Sequence, residues 1–308
     1  METHPLPQVV LIYMKFGNVE NPEEIDFTIP PDHADTAKAL KKGNGDFDLY
    51  VGCAKWNKTD LKNFYPKGTK DELGYYTTQF NSIELNATFY RLFPAAQFEK
   101  WKEVTPDGFR FFPKLGQDIS HFRRLKEVGE LVNETVSRFS LLEEKLGMPF
   151  LQMHNNFAPK DFERVKAFVD HWQFDMPLAL EFRHTDWYNN PEVSAELYDL
   201  LETNGITNVL VDTAGRRDLM HMRLTTPKAF IRYVGANHPS DYPRLDGWIE
   251  RIAQWKDQGL QELGFFVHQN VELESPLLSA YFIERLNKKI GTDLAIPKTL
   301  IPVPVSAK

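Results

Sequence analysis

Residues 80 to 91 read FNSIELNATFYR. The first half of this segment is short, partly apolar and poor in turn-forming residues, which is typical of a buried β-strand. The second half brings polar and aromatic side chains in close succession, namely Glu84, Asn86, Thr88, Tyr90 and Arg91. A strand that becomes polar at its carboxyl end is typical of the active rim of a parallel α/β barrel. For this strand alone, an ordinary strand followed by a hydrogen-bonded loop explains the pattern equally well.

The same pattern recurs along the chain. Strands are predicted at residues 49–53, 81–86, 109–114, 150–153, 177–183, 207–212, 229–234 and 263–268. The clearest helices between them are predicted at residues 69–79, 125–146, 160–172, 191–203, 245–258 and 277–289. Eight strand–helix units in roughly 240 residues match a (β/α)8 barrel. The competing fold, an open doubly wound sheet, carries a Gly-rich turn after its first strand, and this chain has none there.

We therefore predict an α/β fold, specifically a (β/α)8 TIM barrel with an N-terminal extension. Residues 1–46 form the extension, because prolines and a Lys-Gly-Asn-Gly run interrupt it and only residues 34–40 have a helical pattern. The barrel domain is predicted at residues 47–291. Residues 292–308 are predicted to form a Pro-rich tail.

Composition excludes several classes of protein. The chain has 308 residues, of which 42% are hydrophobic, so it can bury a large core. Its formal charge of −7 disfavours a general nucleic-acid binder but is compatible with a local basic patch. Cys53 is the single cysteine, which rules out an internal disulfide and a cysteine-based zinc site.

No apolar segment approaches the roughly 18 residues that a membrane-spanning helix needs. The short apolar run Val9–Tyr13 has no basic leader and no small-residue cleavage site, so no signal peptide is predicted. We expect a cytoplasmic protein that does not associate with a membrane. The sequence leaves the oligomeric state open.

Polar residues stand at the end of nearly every predicted strand. They are Trp56, Glu84, Asn86, Lys114, Gln152, His154, Glu181, Arg183, Asp212, Arg232, Tyr233, His268, Gln269 and Asn270. In a closed barrel these side chains would converge on one pocket, although they are far apart in the sequence. Buried charges are costly unless they are paired or used, so the convergence predicts either a functional site or a layer of ion pairs that closes the barrel.

The leading hypothesis is an enzyme that binds a small anionic ligand, bearing a phosphate or a carboxylate, and performs acid–base or hydrolytic chemistry. Glu84 and Glu181 are the candidate catalytic residues, because carboxylates at a barrel rim suit proton transfer. Arg183 lies on the same side of its strand as Glu181 and could clamp an anion or keep Glu181 ionised. The predicted ligand-binding residues are Trp56, Asn86, Tyr90, Lys114, His121, Gln152, Arg183, Asp212 and Arg232.

Two other functions fit the same residues. One is a nucleic-acid-binding or phosphodiester-processing protein with a basic rim, for which Arg123-Arg124 and Arg216-Arg217 are candidates. The other is a noncatalytic ligand-binding or scaffolding barrel. No HExxH, GxSxG or Walker-type motif is present. No cofactor and no metal are predicted, although a divalent ion could be held by Glu84, Glu181, Asp212, His154 and His268.

Several ordered motifs of the chain resemble the YecE-like family, whose domain is otherwise named a domain of unknown function, number seventy-two. They are Phe64-Tyr65-Pro66, residues 80–90, Trp101 and residues 105–111, and the match continues through Lys114, Ser120-His121, Gln152 and residues 181–184. The resemblance covers roughly residues 48–290. It implies a TIM-type barrel and does not supply an activity.

The chain departs from the family pattern at three strand ends. Residues 232–235 read RYVG and lack the histidine that the family tends to place there. Residues 152–155 read QMHN in place of a Gln-Leu-Pro-Pro pattern, and residues 266–270 keep only part of an Asn-rich turn. Roles are therefore not carried over from the family to these strand ends.

Overall fold

The computed structural model describes residues 16–61 and 63–303. The apolar run Val9–Tyr13 lies outside them, as do the ends of the predicted extension and tail. The described residues contain nine strands, β1 to β9: Asp48–Cys53, Ser82–Leu85, Arg110–Pro113, Phe150–Gln152, Ala179–Glu181, Thr207–Asn208, Leu210–Thr213, Lys228–Gly235 and Glu262–Gln269.

Helices occupy most of the connections between these strands. The α-helices of the described residues, α1 to α10, are Thr36–Leu40, Glu72–Thr77, Ala87–Tyr90, Ala95–Val104, Gly129–Phe139, Phe162–His171, Asp186–Asn189, Pro191–Thr203, Asp241–Gln258 and Ser275–Ile290. Short 3-10 helices cover Pro22–Glu24, Ser140–Lys145, Pro159–Asp161 and Ala214–Leu219, and a π-helix covers Asp118–Phe122. Among the described residues, no helix combines the length and the apolar character needed to cross a membrane.

The strands form three parallel sheets, with orders β1-β9-β8-β7, β2-β3 and β4-β5-β6. The predicted sixth strand is divided at Val209, so that β6 pairs with β5 and β7 pairs with β8. The Val209 N–H still donates to the Leu180 carbonyl, at 2.9 Å. Within the part of the chain that the structure describes, the ladders do not join into one closed ring. The observed fold is therefore α/β with parallel sheets, and closure of a barrel is not established.

Side chains connect β1 to β2 where no ladder does. The Asn81 amide accepts from the Val51 N–H at 3.1 Å and donates to the Leu49 carbonyl at 2.7 Å, so it replaces two backbone bonds. Gly52 allows the close approach, because a Cβ there would lie 2.2 Å from the Ser82 carbonyl oxygen. The strands β1 and β2 are therefore neighbours, held by this amide and by the Tyr76 hydroxyl, which accepts from the Cys53 N–H and donates to the Ser82 carbonyl.

The strands β3 and β4 are also neighbours with little ladder between them. Two isolated parallel bridges join Phe111 to Leu146 and Lys114 to Phe150. The Leu115 N–H also donates to the Phe150 carbonyl, at 2.9 Å. Few hydrogen bonds thus link the two-stranded sheet to the three-stranded sheet.

The helix Pro191–Thr203 lies where the sequence predicts it. Proline occupies its first position, and the Asn190 side chain accepts from the N–H groups of Glu192 and Val193 at 3.1 and 3.4 Å. The helix predicted at 125–146 is instead the shorter α5 followed by a 3-10 helix. The residues Arg124, Leu125, Glu127 and Glu143 have φ between 49° and 63°, which an α-helix does not allow.

The described part of the extension packs on the C-terminal half of the chain. Asp32 pairs with Arg251 and accepts from Trp255 Nε1 at 2.9 Å. The Thr36 hydroxyl donates to the Met222 carbonyl at 2.8 Å and is completely buried. Residues 32–36 are thus part of the same packed body as α9.

Candidate anion-binding site

Large aromatic side chains from four strands pack together between the sheets. The ring centroids of Phe112 and Phe266 are 4.8 Å apart, and the Phe230 ring lies 5.0 Å from both Phe150 and Phe266. Val211 belongs to the same buried cluster. Because successive side chains of a strand point to opposite faces, these residues show which face of each strand is turned inward. We call this cluster the aromatic floor.

Polar side chains lie next to the aromatic floor: Lys114, Gln152, Arg232 and His268 stand two residues after Phe112, Phe150, Phe230 and Phe266, and Glu84 and Glu181 contact Arg232. Alternation places them on the same inward face, directly above the aromatic rings. We call this group the polar layer, and it consists of Glu84, Lys114, Gln152, Glu181, Arg232 and His268. The structure therefore brings together six residues that the sequence places at six different strand ends.

Arg232 lies at the centre of the polar layer. Its Nε and Nη2 donate to the two carboxylate oxygens of Glu84, at 2.9 and 2.8 Å. Its Nη1 donates to Glu181 Oε2 at 2.7 Å. All three guanidinium nitrogens are thus engaged with carboxylates, which makes Arg232 a structural bridge and leaves little of it for a ligand.

Glu84 has two further partners. His268 Nε2 lies 2.9 Å from Glu84 Oε2, and Asn86 Nδ2 donates to Glu84 Oε1 at 2.7 Å. His268 Nδ1 also lies 3.7 Å from a carboxylate oxygen of Glu272. Glu84 is completely buried and is surrounded by donors on both oxygens.

Arg183 is bound on one side only. Its Nε contacts Glu181 Oε1, and no hydrogen bond from either of its Nη groups occurs among the described residues. The Phe16 ring stacks on the guanidinium face, with 3.7 Å between Cζ and the ring centroid. Arg216 Nη2 donates to the Arg183 carbonyl at 3.1 Å, which places a second arginine nearby. Within residues 16–61 and 63–303, the Nη groups of Arg183 therefore have no hydrogen-bond acceptor.

Lys114 has no carboxylate partner in residues 16–61 and 63–303. Its Nζ donates to Gln152 Oε1 at 2.8 Å and lies 4.0 Å from the centroid of the Phe89 ring. The residue is 7% exposed. Its carbonyl accepts from the Thr88 hydroxyl at 2.7 Å, so its backbone is also fixed.

The contacts of the polar layer shift the pKa values of its members. Burial alone would raise the pKa of Glu84 and Glu181, but the neighbouring cations lower both. Arg232 and His268 lower the pKa of Glu84 well below its usual value. Arg183, Arg232 and Lys114 lower the pKa of Glu181 to about 2. Both groups are therefore carboxylates at neutral pH, which disfavours either of them as a general acid.

Lys114 shows the opposite effect. Burial and the charges of Arg232 and Arg183 hold the pKa of Lys114 well below its usual value, and the nearby carboxylates only partly compensate. The pKa of His121 is lowered to about 4 by burial and by the neighbouring Lys114 and His154. The uncharged forms of Lys114 and His121 are therefore favoured by their surroundings.

Asp212 does not join the polar layer, which corrects the expectation from the sequence. It accepts from Arg244 Nη2 and Trp248 Nε1, both at 2.7 Å, and it also pairs with Arg217. Because Val211 points into the aromatic floor, Asp212 points to the opposite face, toward α9. Arg244 and Arg217 lower the pKa of Asp212 against the effect of burial. This ion-pair cluster anchors α9 on the face opposite the polar layer.

Two predicted aromatic walls also lie away from the polar layer. Trp56 packs edge-to-face on Trp101 of α4, with 6.0 Å between ring centroids. Tyr90 is 70% exposed. The neighbouring Phe89 takes the expected place of Tyr90, since its ring contacts both Lys114 Nζ and His121, the latter at 4.9 Å between centroids. Whether Trp56 or Tyr90 binds a ligand remains a prediction.

Three residues near the site were not among the predicted site residues. His268 stands at a strand end, two residues after Phe266 of the aromatic floor, and this spacing is the sequence signal that identifies it. Phe89 is adjacent in sequence to Tyr90, which is one of the predicted ligand-binding residues. Phe16 carries no local signal, because its place over Arg183 depends on packing between segments that are far apart in the sequence.

Among the described residues, no group of three or more His, Cys, Asp or Glu side chains is arranged to hold a metal ion. The carboxylates of the polar layer instead contact guanidinium groups. The predicted absence of a cofactor is not tested by this observation.

The fold and the site together define an α/β protein with parallel sheets and a buried layer of mixed charge at the carboxyl ends of the strands. The chain belongs to the family described as "Protein of unknown function DUF72", which matches residues 50–300. The family resemblance inferred from the sequence motifs is thereby confirmed.

The relatives are proteins without an assigned activity in their names. UPF0759 protein YecE of Escherichia coli K12 is 28% identical over 275 residues, which is 81% of this chain and 98% of the relative. UPF0759 protein YunF of Bacillus subtilis 168 is 30% identical over 152 residues, 46% of this chain and 53% of the relative.

Solved structures support the fold. A DUF72 family protein from Thermotoga maritima MSB8 superposes with a TM-score of 0.64 at 24% identity, covering 78% of this chain and 99% of that chain. A DUF72 family protein from Enterococcus faecalis V583 gives a TM-score of 0.63 at 17% identity, covering 79% and 99%. At these identities the likeness concerns the fold alone.

Proposed function

We propose that this protein binds a small anionic ligand, bearing a phosphate or a carboxylate, at the Nη groups of Arg183 beside Lys114. The observation that carries the proposal is the incomplete pairing of Arg183, whose Nη groups have no hydrogen-bond partner among the described residues. A guanidinium presents parallel N–H donors that match the oxygens of a phosphate or carboxylate. The Phe16 ring covers the face of the guanidinium, and the Arg183 side chain keeps 12% of its surface exposed.

The balance of charge supports an anion at this place. Two carboxylates, Glu84 and Glu181, face three basic groups, Arg183, Arg232 and Lys114. Arg232 is already shared between both carboxylates. A ligand anion would supply a partner for the Nη groups of Arg183, and burial would strengthen the interaction.

The carboxylates have a supporting role in this proposal. Glu84 and Glu181 hold Arg232 and Arg183 in place, while Gln152 holds Lys114. The acid–base or hydrolytic chemistry expected from the sequence is kept as part of the proposal, with His121 as the candidate group for proton transfer. The cytoplasmic location also remains a prediction.

We also propose that the three sheets are parts of one (β/α)8 barrel. The Asn81 amide between β1 and β2, the isolated bridges between β3 and β4, and the continuity of β6 with β7 support a ring of neighbouring strands. The shared aromatic floor supports it further, because inward side chains in a barrel pack in layers.

The proposal is tested by thermal shift and calorimetry with inorganic phosphate and simple phosphate esters at two ionic strengths. We expect the wild-type protein to be stabilised by phosphate, and less so at high salt, because salt screens the interaction. Arg183→Ala should abolish this response. Arg183→Lys keeps the positive charge but loses the parallel N–H donors of the guanidinium, so it should weaken the response.

Arg138→Ala is the matched control, because Arg138 pairs with Glu134 on the surface of α5. This variant should respond to phosphate like the wild type. An equal response in wild type and Arg183→Ala, or no response in either, would remove the anion site.

A second candidate function is binding of single-stranded nucleic acid. The observation that favours it is a pair of exposed aromatic side chains at the same rim, Tyr90 at 70% and Phe122 at 67% exposure, with Arg123 adjacent to Phe122. Exposed aromatic rings beside basic groups stack with unpaired bases. Fluorescence anisotropy with a labelled oligo-dT, comparing wild type with a Tyr90→Ala/Phe122→Ala double variant, tests this function, and equal binding by both would reject it.

A further inference from the structure

We propose that Lys114 is a nucleophilic amine that forms an imine with the carbonyl carbon of an aldehyde or ketone ligand. The proposal rests on the proposed anion site at Arg183, which would hold a carboxylate or phosphate of the same ligand. It gives Lys114 a chemical role beyond that of a cation and narrows the ligand class to carbonyl compounds that bear an anion.

The surroundings of Lys114 differ from those of a lysine that is kept as a cation. Its Nζ donates to a neutral amide oxygen of Gln152, and the Phe89 ring lies on another side. No ion pair with a carboxylate is formed within the described residues. A lysine amine that is desolvated beside other cations is the arrangement that activates it as a nucleophile.

The charged and titratable groups around Lys114 come from every neighbouring strand. They are Glu84, Glu181, Arg183, Arg232, His121 and, beyond His121, His154. Each of the two carboxylates is paired with an arginine, which compensates most of its charge. The carboxylates therefore stabilise the protonated form of Lys114 only weakly. The resulting depression of the Lys114 pKa increases the fraction of free amine at neutral pH.

The reaction is balanced without an oxidant or reductant. The Nζ lone pair attacks the carbonyl carbon, a C–N bond forms, and the C=O π electrons move to oxygen. One proton passes from nitrogen to oxygen and gives a carbinolamine. The remaining N–H proton then passes to the hydroxyl, which leaves as water while the nitrogen lone pair forms the C=N bond. His121, whose ring packs on the same Phe89 side chain, is the candidate to carry these protons.

A second buried lysine provides an internal comparison. Lys145 is 5% exposed, similar to Lys114, but its Nζ donates to the carbonyl oxygens of Lys102 and Thr105 at the end of α4. Both lysines are therefore buried, and burial does not distinguish them. Of the two lysines, only Lys114 combines burial with neighbouring arginines and the proposed anion site.

The test is reductive trapping on the full-length protein. Pyruvate and glycolaldehyde phosphate serve as anionic probes, and methyl pyruvate and glycolaldehyde as their neutral counterparts, each with sodium cyanoborohydride. Mass spectrometry of the intact protein and of its peptides locates the adduct. We expect a single adduct on Lys114, formed at least about tenfold faster than on Lys145 or on any exposed lysine. This selectivity should vanish when the protein is unfolded in denaturant.

Variants separate the two parts of the idea. Lys114→Met and Lys114→Arg should abolish the single adduct, and Lys145→Arg should not. Arg183→Ala should slow trapping of pyruvate much more than trapping of methyl pyruvate. If both probes trap equally on the wild type, the nucleophile stands and the anion site fails. If phosphate binds but Lys114 is labelled no faster than Lys145, the nucleophile is rejected and the anion site stands.

Discussion

Arg232 binds Glu84 in a fork, with Nε and Nη2 at 2.9 and 2.8 Å from the two oxygens of one carboxylate. The residues are 148 positions apart and belong to two different sheets, β8 and β2. The third nitrogen of the guanidinium reaches Glu181 of the third sheet. One side chain thus connects all three sheets at the level of the polar layer.

We predict that Arg232→Met destabilises the protein by roughly 3–5 kcal/mol, because it leaves two buried carboxylates without their partner. Arg232→Lys should recover only part of this loss, since a single ammonium cannot form the fork. Urea unfolding at pH 7 measures both variants. Stability of Arg232→Met close to that of the wild type would show that the bridge does not support the fold.

Glu181 makes stability depend on acid pH. Its pKa in the folded protein is about 2, against an ordinary value of 4.5, so its contribution is fully present above pH 4.5 and is lost as pH falls toward 2. Glu181→Gln should therefore lower stability at pH 7, on the order of 3 kcal/mol, and flatten the decline between pH 4.5 and 2.

The measurement is unfolding by urea at pH 7, 4 and 3 for wild type and Glu181→Gln. Part of the decline should remain in the variant, because the pKa of Glu84 is also lowered. Parallel curves for the two proteins would contradict the assignment of the low pKa to Glu181.

Asp212→Asn is expected to destabilise the protein without affecting anion binding. The substitution weakens the contacts with Arg217, Arg244 and Trp248, and it should lower stability by roughly 3–5 kcal/mol, as for a broken buried ion pair. The phosphate response, measured as a shift from the variant's own melting temperature, should match that of the wild type. A lost response would place Asp212 in the ligand site after all.

Asn81→Ala tests the link between β1 and β2. It removes two half-buried hydrogen bonds and leaves the Val51 N–H and the Leu49 carbonyl without these partners, which should cost about 1–3 kcal/mol for each group. Asn204→Ala is the control, because that amide makes one exposed contact with the Leu200 carbonyl. Hydrogen exchange should show faster opening of β1 in the first variant only, and unchanged protection would argue against the link.

The polar layer could be predicted from strand ends, but the face of each strand could not. Lys114, Gln152, Glu181 and Arg232 converge as expected, whereas Asp212 points outward. A strand that is buried on both faces reads as a continuous apolar run, so its sequence contains no alternation that distinguishes inward from outward. For the same reason, no alternation in the sequence indicates that the predicted sixth strand is divided at Val209.

Helix limits were predictable where local chemistry determines them. Pro191 and Asn190 define the start of α8 by capping, and Gly205, with φ of +62°, follows its end. The prediction of one helix over residues 125–146 was wrong, because non-glycine residues such as Leu125 and Glu143 adopt positive φ there. Such conformations are imposed by surrounding packing and are not evident from the residue type.

The pairing of the extension with the C-terminal half has a consequence for biosynthesis. Asp32 and Phe27 leave the ribosome early, but their partners Arg251 and Arg217 follow 219 and 190 residues later. Strand β1 likewise waits for β9, its ladder partner. Contacts between such distant residues slow folding and leave early segments unpaired during translation. Residues 27–53 of the nascent chain therefore remain without these partners until residues 217–267 have been synthesised.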